Sequence, residues 1–218
     1  AEFVSVTGTT SAPNGDVIAV GSMHAAVDVG AGSQPGVAGS GFFMARYGST
    51  GAPIWARTIG ASGSVSARDV VATPAGEIVV VGAVGGTYNL GGANAATPTL
   101  TNDGTDNQDI FVAKYTAAGA LIWSRVYGSV PECRASSGAV VLCGTSGAVV
   151  YSHGDDGGES VDIDTAGNIY VAAYFKGRID VGLGPQDGYE GSYPSEQSSA
   201  PHVLQQSHMG AVSSSTVI

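Results

Sequence analysis

Short runs rich in Val, Ile and aromatic residues recur along the chain, bounded by turn chemistry such as Pro74-Ala-Gly76 and Ala117-Ala-Gly119. Runs of this composition between such turns read as β-strands. Within Phe111 to Tyr115, positions 111, 113 and 115 share one face and Val112 and Lys114 the other, since successive strand side chains alternate. One face is expected to pack and the other to be wetter.

These runs repeat. Gly15-Asp-Val-Ile-Ala-Val-Gly21, Gly76-Glu-Ile-Val-Val-Val-Gly82 and Gly167-Asn-Ile-Tyr-Val-Ala-Ala173 align, and Val27-Asp-Val-Gly30, Tyr88-Asn-Leu-Gly91 and Ile179-Asp-Val-Gly182 follow them. A longer match joins Phe42-Phe-Met-Ala-Arg-Tyr47 and Ala52-Pro-Ile-Trp55-Ala-Arg57 to Ile110-Phe-Val-Ala-Lys-Tyr115 and Ala120-Leu-Ile-Trp123-Ser-Arg125. The spacing is 68 positions from Trp55 to Trp123 and 61 from Gly15 to Gly76. One unit holds four expected strands: Asp69 to Ala72, Glu77 to Val84, Asp109 to Tyr115 and Leu121 to Tyr127. Four short antiparallel strands per unit, repeated at this period, predict an all-β, β-propeller-like fold. A two-sheet sandwich is the rival architecture. Trp55, Trp123, Phe43, Phe111, Ile78, Val80, Ile169 and Val171 hold equivalent repeat positions and form the expected core.

The residues Asp109-Ile-Phe-Val-Ala-Lys-Tyr115, Leu121-Ile-Trp123-Ser-Arg125 and Val161-Asp-Ile-Asp-Thr-Ala-Gly-Asn-Ile-Tyr-Val171 resemble the seven-bladed β-propeller (SBBP) repeat family, with matches over about residues 12 to 184. The resemblance implies extracellular or cell-surface scaffolding and binding, and it brings no catalytic residues to carry over.

Two departures shape the expected organisation. The third unit starts 91 residues after the second, from Gly76 to Gly167, because Gly128 to Gly158 is inserted. The Phe-x-Ala-Lys-Tyr and Trp strands do not recur after Val181. The expected divisions are therefore two full blades (1–66 and 67–128), an inserted Cys-containing hairpin (129–158), a partial blade (159–185) and a Ser-rich tail or linker (186–218). About two and a half blades cannot close a ring that needs 4 to 8. A fragment, blades lent by another chain, and a half blade paired with Phe3-Val-Ser-Val6 are the open alternatives. The inserted hairpin is expected from Ala139–Cys143 and Ala148–Tyr151, either as a decorated edge or as an apolar contact surface carried by Val140, Leu142, Val149 and Tyr151. Its Cys133 and Cys143, the two cysteines of the chain, read as a local disulfide in an oxidising compartment, with two unpaired thiols as the alternative. The tail gathers Ser, Gln and two prolines with little apolar area, so disorder or docking on another subunit is expected. An O-glycosylated stalk is the weaker reading.

Composition narrows the function classes. The 218 residues carry 8 Lys+Arg against 18 Asp+Glu, a formal net charge of −10, and only 12% are charged. So few basic residues argue against binding a phosphate backbone. The 34 glycines argue against a coiled coil, and no apolar run is long enough for a transmembrane helix. The start at Ala1, without Met or an apolar leader, fits a signal peptide that has been removed or never existed. No C-x-x-C, H-E-x-x-H or N-x-[ST] pattern occurs, so zinc and N-linked sugar lack support.

Acidic loops are the chemical candidates. Asp103, Asp106 and Asp109 crowd one loop with two asparagines, and Asp155 and Asp156 lie with His153 and Glu159 in a second. Hard oxygen donors of this kind suit Ca²⁺, whereas the bland reading is a solvated, Asx-rich turn. Asp162 and Asp164 read as a turn, because Ala166 stands where a third oxygen ligand is needed. Asp155 and Glu159 as glycosidase carboxylates, or Trp55 and Trp123 as sugar platforms, are the sharper alternatives to loop acids and core tryptophans. No nucleophile elbow or nucleotide-binding glycine motif is present. The expected function is a non-enzymatic extracellular assembly module whose partners are other subunits or copies of itself. Carbohydrate binding, with or without Ca²⁺, and a hydrolase or lyase are the alternatives.

Overall fold

Turns of one kind set the strand pairing. Gly15, Gly76, Gly119 and Gly167 each donate a backbone N–H to the carbonyl three residues earlier, at Ala12, Thr73, Thr116 and Asp164. All four have φ between 77° and 88°, a left-handed conformation that glycine reaches without steric cost. Each turn reverses the chain, so neighbouring strands run antiparallel.

The computed structural model describes residues 4–60, 62–91, 100–101, 108–130, 132–134, 140–141, 149–151, 155–175, 178–180, 185–187, 201–206 and 215–217. The first unit runs through β1 (Val4–Ser11), β2 (Val17–Met23), the short β3 (Val27–Asp28) and β4 (Ser33–Gln34), β5 (Gly41–Tyr47) and β6 (Pro53–Ile59). The second runs through β7 (Ser64–Ala72), β8 (Ile78–Gly85), the short β9 (Thr87–Tyr88) and β10 (Leu100–Thr101), β11 (Asp109–Tyr115) and β12 (Leu121–Tyr127). The insertion contributes β13 (Ser129–Val130), β14 (Glu132–Arg134), β15 (Val140–Val141) and β16 (Val149–Tyr151). Then come β17 (Gly157–Ile163), β18 (Ile169–Tyr174), β19 (Arg178–Asp180), β20 (Pro185–Asp187), β21 (Pro201–Gln206) and β22 (Ser215–Val217).

The protein is all-β, built on three four-stranded antiparallel sheets in the orders β1-β2-β5-β6, β7-β8-β11-β12 and β17-β18-β21-β22. Each is a meander that adds strands outward in chain order, and none closes into a barrel, as expected of incomplete propeller-like blades.

Four details differ from the sequence reading. First, β7 begins at Ser64, five residues before the expected start at Asp69. A bulge at Arg68 shifts the β7–β8 register between Ala67 and Asp69, so the apolar alternation changes phase there and conceals the first half of the strand. Second, the third sheet is complete: Pro201–Gln206 pairs with β18 and Ser215–Val217 with β21, so two tail segments act as strands. Strand pairing uses main-chain groups that every residue but proline can offer, so the loss of the Phe-x-Ala-Lys-Tyr composition does not prevent it. Third, Val4–Ser11 pairs with β2 in the first sheet, so Val4 to Val6 is not the partner of the third unit. Fourth, Val140–Val141 and Val149–Tyr151 lie on either side of β14, which pairs with both. The insertion thus forms a small sheet around Glu132–Arg134.

Successive sheets stack face to face. Ile18, Val20, Phe42, Met44 and Ile59 of the first sheet pack against Val65, Ala67, Val70, Ile78, Val80, Phe111 and Tyr115 of the second. Val79, Val81, Ile110 and Val112 on the other face of the second sheet pack against Val161, Ile169, Val171 and Ala173 of the third. The middle sheet is therefore buried on both faces. Of the expected core, Phe43, Phe111, Ile78, Val80, Ile169 and Val171 are buried. Trp55 and Trp123 are a correction, being half-buried at the margins of the two seams.

Candidate functional site

Polar side chains reach across the seams between sheets at several places. On the forward face of β5, Arg46 Nε donates to Asp16 Oδ2 at 2.8 Å and Nη2 to Asn14 Oδ1 at 3.3 Å. Its Nη1 crosses to the second sheet and donates to the Ala117 carbonyl at 2.9 Å. The same turn receives the Trp55 indole N–H, at 3.2 Å from Ala117 O, and Arg57, whose Nη2 lies 3.0 Å from Ala118 O. The Arg57 guanidinium stands 5.9 Å over the Trp55 ring, close enough for a cation–π contact. The Trp-x-Arg motif thus clamps the following sheet's turn, a role distinct from both core residue and sugar platform. In the second sheet Lys114 takes the place of Arg46 and pairs with Glu77 at 2.6 Å.

Asp16 is held below its ordinary value near 3.8, first by the hydrogen bond from the Asn14 amide and then by that from Arg46. Both favour the charged carboxylate.

The innermost strands carry a second column of polar contacts. Each has its bulge at the same place: Thr7 in β1, Arg68 in β7 and Glu159 in β17. Bulges re-aim side chains, and here they aim them across the seams. Thr7 Oγ1 donates to Ala67 O at 2.9 Å, and Arg68 Nη1 lies 3.1 Å from Glu159 Oε1. Beside Arg68, Asp69 Oδ2 accepts from Ser160 Oγ at 2.8 Å and from the Val161 N–H at 3.0 Å, while Oδ1 accepts from the Val70 N–H at 2.8 Å. Glu159 is therefore engaged with Arg68, on a partly exposed pair that stabilises by at most about 1 kcal/mol.

The two acidic loops, far apart in sequence, meet. The Asp156 N–H donates to Gln108 O at 2.8 Å, and the Gln108 N–H donates to Asp155 Oδ1 at 3.4 Å. Asp156 is buried, and Asp109 follows Gln108 at the start of β11. Among the described residues no group of three His, Cys, Asp or Glu side chains is placed to hold a metal ion. Asp103 and Asp106 lie outside the described residues. Asp164 shows the turn chemistry read from sequence: Oδ1 accepts from the Ala166 and Asn168 N–H groups, and Oδ2 from Asn168 Nδ2 at 2.7 Å. Those Asn168 contacts hold its carboxyl below the ordinary range.

In the insertion, Cys133, Val140, Val149 and Tyr151 fall on the paired backbone of β14, β15 and β16. Leu142 and Cys143 lie outside the described residues, and with them the expected disulfide.

A remaining surface is defined by the repeat itself. In the second sheet the rear face, turned toward the first, includes Val65, Ala67 and Ile78, each 0% exposed. Register equates these positions with Val4, Val6 and Val17 of the first sheet: Val4 pairs with Met23 as Val65 pairs with Val84, and Val6 with Gly21 as Ala67 with Gly82. Val4, Val6 and Val17 are 45%, 59% and 38% exposed. Beside them Met23, Phe43 and Ala45 are buried together with Val27 of the first sheet's own β2–β5 connection. No sequence signal marks Val4 and Val6 as unusual; they stand out only once the register equates them with buried positions. Among the described residues there is no helix, hence none long and apolar enough to cross a membrane. Compared with known proteins, the chain matches no family model and no curated protein sequence.

Proposed function

We propose that this chain is a non-catalytic assembly module of propeller-like blades that works by joining other protein chains through blade faces and strand edges. The observation that carries the reading is the exposure of Val4, Val6 and Val17 at positions whose counterparts Val65, Ala67 and Ile78 are sealed. Apolar side chains left exposed at positions that the repeat elsewhere seals favour a covering partner. The polar groups at the seams support the same reading. Arg46, Trp55, Arg57, Asp69 and Glu159 are all spent on holding sheet to sheet.

The resemblance to SBBP repeats adds an extracellular or cell-surface setting to this proposal, and the paired spacing of Cys133 and Cys143 is compatible with it. Light scattering across a micromolar concentration series tests the assembly role. Concentration-dependent self-association supports it; a stable monomer with sharp, cooperative unfolding at every concentration contradicts it.

A further inference from the structure

We infer that Asn14-Gly15 is a modification site, a deamidation site that Arg46 keeps latched while the first seam is closed, with water as the co-reactant. The sequence holds one Asn-Gly pair, at this place. Glycine has no Cβ, which leaves its backbone nitrogen open to the neighbouring side-chain amide. Both residues are exposed, so water reaches them.

The turn explains why an asparagine stands there. In the β7–β8 and β17–β18 turns the first residue caps the returning strand: the Glu77 N–H donates to Thr73 Oγ1 at 3.1 Å and the Asn168 N–H to Asp164 Oδ1 at 2.8 Å. The β1–β2 turn begins with Ala12, which has no such oxygen, and the Asp16 N–H donates instead to Asn14 Oδ1 at 3.3 Å. Asparagine serves such turns because its side chain bonds the backbone two residues on. Ala75 and Ala166 hold the matching position in the other two turns. Of the three, the first alone therefore sets a side-chain amide beside a glycine nitrogen.

The step is a hydrolysis through a cyclic imide, with no oxidation or reduction. The Gly15 nitrogen gives up its proton and bonds to Asn14 Cγ, the Cγ–Nδ2 bond breaks, and ammonia leaves with that proton. One water then opens the imide at either carbonyl and leaves aspartate or isoaspartate at position 14. In the closed turn each participant is held. The Gly15 N–H donates to Ala12 O at 2.9 Å, and Asn14 Nδ2 donates to Asp16 Oδ2 at 2.9 Å. Asn14 Oδ1 accepts from Arg46 Nη2 as well as from the Asp16 N–H. Arg46 is itself buried and fixed on two further sides, by Asp16 Oδ2 and, across the seam, by Ala117 O. Asn14 Cγ meets the Gly15 nitrogen once these bonds open. Either product puts a carboxylate where Nδ2 donated to Asp16, and like charges oppose each other there. The clamp that closes the first seam is then permanently altered.

The test is peptide mapping of the full chain after incubation in warm, mildly alkaline buffer, following the mass gain of exchanging NH₂ for OH at position 14. The urea-unfolded chain supplies the unlatched rate. The folded parent should convert at least about tenfold more slowly, because the hydrogen bonds that hold Asn14 must open first. Arg46→Lys keeps a positive charge but lacks the fork that spans Asn14, Asp16 and Ala117 together. Lysine is the residue of the second unit at this place, as Lys114, so the variant should keep a cooperative melt. Its conversion should rise severalfold toward the unfolded rate. Trp55→Phe removes another donor to the same Ala117 carbonyl without touching Asn14, and should leave the rate within about twofold of the parent. Equal rates in folded and unfolded parent, or no conversion in either, overturn the latched site. An unchanged rate in Arg46→Lys, or an equal rise in Trp55→Phe, overturns Arg46 as the latch.

Discussion

Phe111 and Gly82 sit directly across the β8–β11 ladder, as Phe43 and Gly21 do across β2–β5. A Cβ added at Gly82 would press on the Ser66 carbonyl on one side and stand 2.9 Å from Phe111 Cε1 on the other. Since one of those neighbours is backbone, little can give, and Gly82→Ala should cost about 1–3 kcal/mol by overpacking. Urea denaturation measures it, and an unchanged midpoint would show that the ring is not wedged there. Tyr115 and Tyr47 make the same bond in two environments, donating to Leu90 O at 2.8 Å and to Val29 O at 2.7 Å. Burial pushes the Tyr115 hydroxyl well above its ordinary pKa. Tyr115→Phe strands the Leu90 carbonyl in the core and should cost about 1–3 kcal/mol, whereas Tyr47→Phe, where water reaches the site, should cost less. Phe43 and Phe111 were legible as core because aromatic residues at matching repeat positions imply matching packing. Trp55 and Trp123 were placed too deep, because recurrence shows only that a position has one role; both pack half-buried against a seam, and Trp55 adds a hydrogen bond to the following sheet's turn.

At the scale of single elements, the innermost strands bind the sheets together through their bulges. Asp69 accepts three hydrogen bonds, two of them from β17. Asp69→Ala should leave the Val161 N–H without its acceptor and lower stability by about 1–3 kcal/mol. Asp69→Asn, which keeps an acceptor oxygen, should recover part of that loss in the same denaturation series. The acid limb of stability should depend on Asp16. Its folded pKa lies below its unfolded one, so its contribution is present above the unfolded value and is lost as pH falls through the folded value. Thermal melts between about pH 5 and 2 should therefore fall less steeply in Asp16→Asn than in the parent, from a lower plateau. A parallel fall in the two proteins would place the acid-sensitive carboxylates elsewhere. The element boundaries show what sequence periodicity hides. β11 and β12 were legible to the residue because the one irregularity in their pairing falls at Ile122, next to the turn that bounds both strands, while β7 lost its first half to the phase change at Arg68, in mid-strand. β21 and β22 were illegible because their partners recognise backbone rather than composition. The seam pairs Arg46–Asp16 and Lys114–Glu77 had a sequence signal: opposite charges at the same two repeat positions in both units. The third unit carries Asn168 and Gln205 there, an uncharged pair of amides that masks the correspondence.

For the whole molecule, repeat architecture makes stability approximately a sum of each sheet's own stability and its seams with its neighbours. The three sheets are unequal in that sum. The second sheet has a seam on each face, and every residue of β8 from Ile78 to Val84 is buried. The first has one described seam and presents β1 with Val4 and Val6 exposed. Amide exchange should rank accordingly, because local opening costs least where few apolar contacts must be broken. In a dilute sample, β8 and β11 should exchange slowest, near the global unfolding limit, and β1 fastest among the sheet strands. Concentrating the protein adds a diagnostic that a rigid single chain lacks. If self-association covers the first sheet's rear face, protection should rise on β1 and at the start of β2 while β8, already sealed, stays unchanged. A Val6→Asp chain should show no such rise. Uniform protection across all three sheets in dilute solution would mean that the first sheet draws its stability from contacts other than the seam, and the free face would then carry no energetic demand for a partner.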